Sequence, residues 1–419
     1  MKTMEKDFSE NALLQKIDAE ADAALASRFE SIDRCSRVCT ERIMKAFASH
    51  RVSESTFAPS TGYGYGDRGR DTLDEVWSEV FGTEAALVRH NIVNGTHALT
   101  IGLFGLLRPG DTLLSVTGKP YDTLDDVIGI SGEPGCGSLR DFGVNYKALE
   151  LLPDGTIDFK GLDRELAEGN VKVVYLQRSK GYQQRPTLSA DEIGGVTTHV
   201  HAVSDAFVFV DNCYGEFCDD HEPHADLLVG SLIKNPGGGM AESGGYLAGT
   251  KKAVDLCANR LTTPGIGAEA GATLGTTRNM FKGLFFAPHV TAQALKTACY
   301  AAYVFERLGC EVSPRHTDER HDIIQTITLG SAEGLVGFCG GIQSGSPVDA
   351  FVTPEAWEMP GYSDPVVMAA GGFVSGSSIE LSADGPVRPP YVAFIQGGLT
   401  FESGRYGMLR AAERLLETR

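Results

Sequence analysis

From Phe81 onward, short apolar runs alternate with stretches long enough for a helix: Ala86-Leu87-Val88, Thr112 to Val116, Val171 to Leu176, Phe207 to Val210 and Gly245 to Gly249. β-Branched and aromatic runs spaced in this way predict a mostly parallel α/β sheet. Ahead of them Leu13, Leu14, Ile17, Ala21, Ala24, Leu25 and Phe29 recur at helical spacing, which predicts a packed helical arm over residues 1–55. From Val290 to Leu308 the residues Ala294, Leu295, Ala298, Ala301, Ala302 and Phe305 form a second helical stripe, and the chain beyond Leu308 is rich in Gly, Ser and Pro with short strands. The expected organisation is the arm, a large α/β domain over 56–290 and a smaller C-terminal α+β domain over 291–419.

In open α/β sheets ligands bind beyond the carboxyl ends of strands. That rule selects Asn94-Gly95-Thr96, Tyr121, Gln177, Asp211 and Ser231 to Lys234. Asp211 ends the run Phe207-Val208-Phe209-Val210, and Lys234 lies between Leu232-Ile233 and Asn235-Pro236-Gly237-Gly238-Gly239. A lysine whose apolar surroundings favour the neutral amine can form a Schiff base, and a nearby carboxylate can keep a pyridine nitrogen protonated. Together these are the minimum equipment for pyridoxal 5'-phosphate (PLP). Gly95 and Thr96 would open a helix whose free N–H groups suit a phosphate, Ser231 would add a hydroxyl, and Tyr121 offers a flat face for a ring.

Other readings of these residues are weaker. Ser231-x-x-Lys234 matches the serine hydrolase pairing, but neither Ser-Asp-Asn nor Lys-Thr-Gly occurs in the chain. Cys213, Cys218, His221 and His224 could be zinc ligands by type, yet their spacing matches no standard finger and the segment is acidic, so no metal is expected. Pro264 to Ala272 lacks the Walker lysine and the GxGxxG spacing. Gly62-Tyr63-Gly64-Tyr65-Gly66-Asp67-Arg68-Gly69-Arg70 packs tyrosines and arginines among glycines, a composition suited to contact with a ligand or a neighbouring subunit.

A formal charge of −18 disfavours nucleic acid and anionic membranes as partners. Nine cysteines at irregular spacings fit reduced thiols better than a disulfide framework. With no apolar signal core in the first residues, a cytoplasmic protein is expected.

With these residues assembled, the chain resembles the fold type I (aspartate aminotransferase-like) PLP enzymes, and most closely the aluminium-resistance or methionine gamma-lyase-like relatives of cystathionine beta- and gamma-lyases. The resemblance runs nearly end to end. It is carried by Gly62 to Asp71, Leu87 to Ala98, Leu107 to Asp111, Pro120 to Leu124, Val210 to Phe217, Gly230 to Gly239 and Gln396 to Thr400. It implies that Lys234 carries the cofactor, Asp211 pairs with the pyridine nitrogen and Tyr121 stacks on the ring, while Gly95, Thr96 and Ser231 hold the phosphate. Tyr65 and Arg68 would reach that phosphate from a partner subunit of a homotetramer built from dimers. Arg388 would bind the substrate carboxylate, with Arg178 and Arg185 as rivals. Two positions depart from the lyase pattern: Asn94 stands where a serine is usual, and the partner loop reads Tyr-Gly-Asp-Arg in place of Tyr-Ser-Arg.

The implied reaction is cleavage of a carbon–sulfur bond of a sulfur amino acid by β- or γ-elimination, giving a 2-oxo acid, ammonia and a thiol. Transamination, retro-aldol cleavage, β/γ-replacement and non-catalytic PLP binding are the alternatives on the same scaffold.

Overall fold

A computed structural model of the 419-residue chain describes residues 11–359 and 364–418. The first ten residues of the expected arm lie outside that range. The chain divides into two compact units, Val38–Ala287 and a second formed by the segments before Val38 and from Pro288 onward.

The unit Val38–Ala287 is built on seven strands: β1 (Ala85–Arg89), β2 (Thr112–Ser115), β3 (Asn145–Ala148), β4 (Val171–Gln177), β5 (Phe207–Asp211), β6 (Leu227–Ser231) and β7 (Gly245–Gly249). They lie in the order β1-β7-β6-β5-β4-β2-β3. The pairings β2/β3, β2/β4, β4/β5 and β5/β6 are parallel, whereas β7 runs antiparallel to both β1 and β6. All five residues of β5, β6 and β7 are buried, as a sheet covered on both faces requires. Leu87, Leu113, Tyr175, Phe209, Leu227, Val229 and Leu247 pack in one core with Leu99, Leu103 and Leu106 of the helix Gly95–Leu106. Gly102 lets that helix approach the sheet, since a Cβ there would stand 2.4 Å from Phe209 Cε2. At the sheet edge, β1 is tied to the preceding helix Arg68–Phe81: Asp74 Oδ1 accepts the Val88 amide at 2.8 Å and pairs with Arg89 at 2.7 Å.

The second unit carries an antiparallel sheet of β8 (Glu311–Ser313), β9 (Gln325–Thr328), β10 (Val366–Ala370), β11 (Ser382–Pro386) and β12 (Val392–Gln396), in the order β10-β11-β12-β9-β8. Its core joins Leu14, Ile17, Ala21 and Leu25 of the helix Ala12–Ser49 to Tyr300, Tyr303, Phe305, Phe338 and Met408.

Two features differ from expectation. The helix expected from Val290 begins at Thr277 and runs 31 residues to Arg307 through Pro288, because buried Met280, Phe281, Leu284 and Ala287 keep the helical stripe unbroken. Beyond it, where a glycine-rich stretch with short strands was expected, Ala332–Ser344 is a helix capped by Ser331. Its glycines serve close packing, as a Cβ at Gly341 would lie 2.5 Å from Ala411 Cα in the helix Phe401–Thr418. Among the described residues, no helix is long and apolar enough to cross a membrane.

Candidate functional site

The carboxyl ends of the parallel strands and the start of the helix Gly95–Leu106 converge on Lys234. A Cβ built on Gly95 would stand 3.6 Å from Cys213 Sγ, 3.6 Å from Ser231 Cβ and 3.9 Å from Lys234 Nζ. The helix start, the end of β6, the turn after β5 and the lysine therefore meet around Gly95. Lys234 is half-buried as a residue, with its Nζ inward, 3.9 Å from the centroid of the Tyr214 ring.

Asn94 caps the helix by accepting the His97 amide at 2.8 Å, so its side chain is committed to the helix and the N–H groups of Gly95 and Thr96 open onto the site. Thr96 Oγ1 and Thr123 Oγ1 lie 2.8 Å apart. That contact ties the segment holding Tyr121 to the helix start. Tyr121 is half-buried, its ring centroid 5.7 Å from that of Tyr182. Gly181 seats this segment against β4, since a Cβ there would be 2.8 Å from Gln177 Nε2 and 3.1 Å from Tyr121 Cδ2. Gln177, in register with Asp211, is buried with Oε1 unpartnered.

Asp211 is buried, its carboxylate accepting the Cys213 amide at 3.1 Å and the Tyr175 hydroxyl at 3.4 Å. Burial pushes its carboxyl up, against the pull of the Lys234 ammonium and those two hydrogen bonds. For Lys234 the sequence expectation fails. Withdrawal from water favours the neutral amine, but Cys213, Tyr214, Asp211 and Glu216 outweigh it and hold the ammonium above its ordinary range. The flanking Leu232 and Ile233 are apolar, yet the groups facing Nζ are polar and acidic.

Behind this wall lies a polar layer that strand-end reasoning misses. Arg178, fully buried, donates to Asn212 Oδ1 at 2.8 Å and pairs with Asp219 at 2.6 Å and Glu222 at 3.6 Å. Asn212 donates to Glu222 and to the Tyr246 hydroxyl, both at 3.1 Å, and Tyr246 donates to Glu216 Oε1 at 2.9 Å. Burial pushes the Glu216 carboxyl up to about 8. The one sign of this layer in the sequence is the pair of acids, Glu216 and Glu222, set close after an apolar strand.

Arg178 is therefore a buried structural cation. Arg185 donates to the carbonyls of Gln177, Ser179 and Pro186, which fixes the loop after β4. Arg388, in the other unit, lies just past β11 and is exposed in an ion pair with Asp364 at 2.7 Å. Tyr65 and Arg68 are exposed, and Tyr65 stacks on Tyr63 at 5.5 Å. Their loop is held rigidly, with Arg70 donating to the carbonyls of Gly64, Glu269 and Gly271, and Asp67 capping the helix Arg68–Phe81. His221 is exposed between Asp191 and Asp220, and among the described residues no group of three His, Cys, Asp or Glu could hold a metal ion.

A mostly parallel α/β sheet whose strand ends gather a lysine, an aspartate and a helix N-terminus defines an α/β protein centred on an inward-facing amine. The methionine gamma-lyase family model matches residues 14–416, and the chain belongs to that family. It is 47% identical over 409 residues to the uncharacterized protein YnbB of Bacillus subtilis (strain 168), covering 97% of each chain. Among solved structures it is similar to a carbon-sulfur lyase involved in aluminium resistance from Clostridium novyi NT, with 47% identity, a TM-score of 0.93 and 97% of each chain covered. It is likewise similar to a candidate cystathionine beta-lyase involved in aluminium resistance from Listeria innocua, with 48% identity, a TM-score of 0.92 and coverage of 95% of this chain and 98% of that one. The fold alone is shared with the pyridoxal-5'-phosphate dependent protein YhfS of Escherichia coli, 15% identical with a TM-score of 0.61 over 93% of this chain and 97% of that one.

Proposed function

We propose that Lys234 carries PLP and that the protein cleaves a carbon–sulfur bond of a sulfur amino acid by β- or γ-elimination, releasing a 2-oxo acid, ammonia and a thiol. The observation that carries this reading is the convergence of the Cys213 thiol, the Ser231 side chain and the Lys234 amine at the helix start, all within 4 Å of where a Gly95 Cβ would stand. Its chemistry suits the cofactor. Backbone N–H groups of Gly95 and Thr96 with the Ser231 hydroxyl would hold the phosphate, Asp211 would face the pyridine nitrogen, and Tyr121 would cover one ring face. The unpartnered Gln177 Oε1 is a buried polar atom that still requires a partner. The strand order, with only β7 reversed, supports the fold type I assignment.

Bound there, PLP would supply an electron sink for the negative charge left when a substrate loses its α-proton. The protein's own groups do the rest. Lys234 Nζ accepts that proton and returns it, so it must be neutral when it acts. Asp211, oriented by the Cys213 amide and the Tyr175 hydroxyl, would hold a negative charge at a fixed, buried position. Arg388 is proposed for the substrate carboxylate. Its pair with Asp364 is half-exposed, so exchanging one carboxylate for another costs little. Tyr65 and Arg68, exposed on a rigid loop, are proposed to complete the phosphate site of a partner subunit in a dimer or a dimer of dimers.

The test combines a visible spectrum with a product assay. The purified protein should take up PLP with absorption that Lys234→Ala lacks, and should release thiol, ammonia and 2-oxo acid from at least one of cysteine, cystathionine or methionine. Unchanged absorption in Lys234→Ala would sink the assignment of the lysine, and 2-oxo acid without thiol from any sulfur substrate would replace elimination by another PLP reaction.

A further inference from the structure

The turn after β5 uses left-handed backbone at two residues other than glycine, Tyr214 at φ 73° and Phe217 at φ 60°. A residue with a Cβ keeps that conformation only where its surroundings impose it. Here Asn235 Nδ2 donates to the carbonyls of both Tyr214 and Glu216 at 3.0 Å. Gly215, between them, makes room for Arg178, whose Cδ would lie 2.4 Å from a Cβ at that position. The result is an aromatic ring with Lys234 Nζ 3.9 Å from its centroid. Asn235, which grips the turn, is the residue directly after the lysine that the turn faces.

We propose that Tyr214 is a positioning residue for Lys234, its ring face docking the free ammonium whenever the lysine is joined to neither cofactor nor substrate. A cation over an aromatic face is attracted by the ring quadrupole without a hydrogen bond that would fix or remove its proton. The inference rests on the reading of Lys234 as the cofactor lysine. It adds a resting place from which Nζ meets the site from one direction. The other groups facing Nζ are Asp211 at the end of β5, Cys213 and Glu216 on the same turn, Ser231 at the end of β6 and Gly95 at the helix start. Docking by the ring predicts dependence on its π-electrons, whereas these groups depend on charge or hydrogen bonding.

The experiment uses the full-length protein without cofactor. Acylation of Lys234 by acetic anhydride is followed across pH by mass spectrometry of its peptide, with exposed Lys251 as internal control. Tyr214→Leu should raise the Lys234 labelling rate about three- to tenfold near neutral pH and shift its profile to lower pH, while Tyr214→Phe, which keeps the ring, should label well below the leucine variant. If the leucine variant does not fold, phenylalanines of increasing fluorine content at position 214 keep the shape while draining the ring of electron density, and labelling should rise stepwise with fluorination. An unchanged rate in Tyr214→Leu, a Phe variant that behaves like Leu, or a flat fluorine series would overturn the proposal. PLP titration of Lys234→Ala separates the two readings: retained absorption there removes the cofactor assignment and leaves the docking result standing.

Discussion

Replacing Glu216 by glutamine should change how stability depends on pH instead of merely lowering it. Glu216 is fully buried, with Oε1 accepting the Tyr246 hydroxyl at 2.9 Å and Oε2 meeting no partner. Burial first, and then the nearby Glu222 carboxylate, pushes its carboxyl from 4.5 up to about 8. Between those values the folded chain keeps a proton that the unfolded chain has lost. The group's stabilisation is therefore complete below the lower value and gone above the upper one. The displacement corresponds to about 5 kcal/mol at most. Glutamine does not titrate. It can still accept from Tyr246, but it places an unpartnered buried NH2 where Oε2 was, which costs about 1–3 kcal/mol at every pH. Wild type should thus be the more stable near pH 5 and Glu216→Gln the more stable near pH 8. Urea midpoints of the cofactor-free proteins at both pH values measure this, because groups common to both cancel in the difference. A difference that stays constant with pH would refute the reasoning and return Glu216 to an ordinary carboxylate.

Packing and assembly give three further expected outcomes. Gly102→Ala should lower stability by about 1–3 kcal/mol in chemical denaturation, since its Cβ would press on the Phe209 ring at 2.4 Å. Arg178→Ala should cost about 3–5 kcal/mol and lower the thermal midpoint, because Asp219 and Glu222 lose a fully buried cation; an unchanged midpoint would show that the pair contributes nothing. If Tyr65 and Arg68 serve a partner's site, mixing inactive Lys234→Ala and Arg68→Ala subunits should restore about a quarter of wild-type activity, because half of the random dimers pair one intact site with one doubly damaged site. No recovery after confirmed subunit exchange would place Arg68 in its own subunit's site.

The parts of the fold visible in the sequence are those whose burial is uniform. Phe207–Asp211 and Val171–Gln177 lie in the middle of a covered sheet, and their unbroken apolar runs announce them. β3, with the sequence Asn-Tyr-Lys-Ala, is a partly exposed edge strand and carries no such run. The reversal of β7 has no local signal, since its five buried residues read alike in either direction. At the site, Gly95, Thr96, Ser231, Asp211 and Lys234 could be selected by taking the residues at and just beyond each strand's carboxyl end, and the structure brings their segments together. The charge state of Lys234 was not legible, because beside Asp211 it depends on Cys213, Tyr214 and Glu216 on a turn whose path depends on Asn235. A left-handed tyrosine leaves no mark in composition or periodicity.

The reversed strand also governs when the sheet can close during synthesis. Among the described residues β1 has β7 as its only strand partner, and β7 is made about 160 residues later. At ordinary translation rates of about 5–20 residues per second, β1 waits roughly 8–30 seconds for its partner. An apolar edge left open that long invites pairing with other nascent chains. Asp74, already made, can take the Val88 amide and Arg89 within the first ninety or so residues, so the emerging strand is held by its own preceding helix until the rest of the sheet arrives.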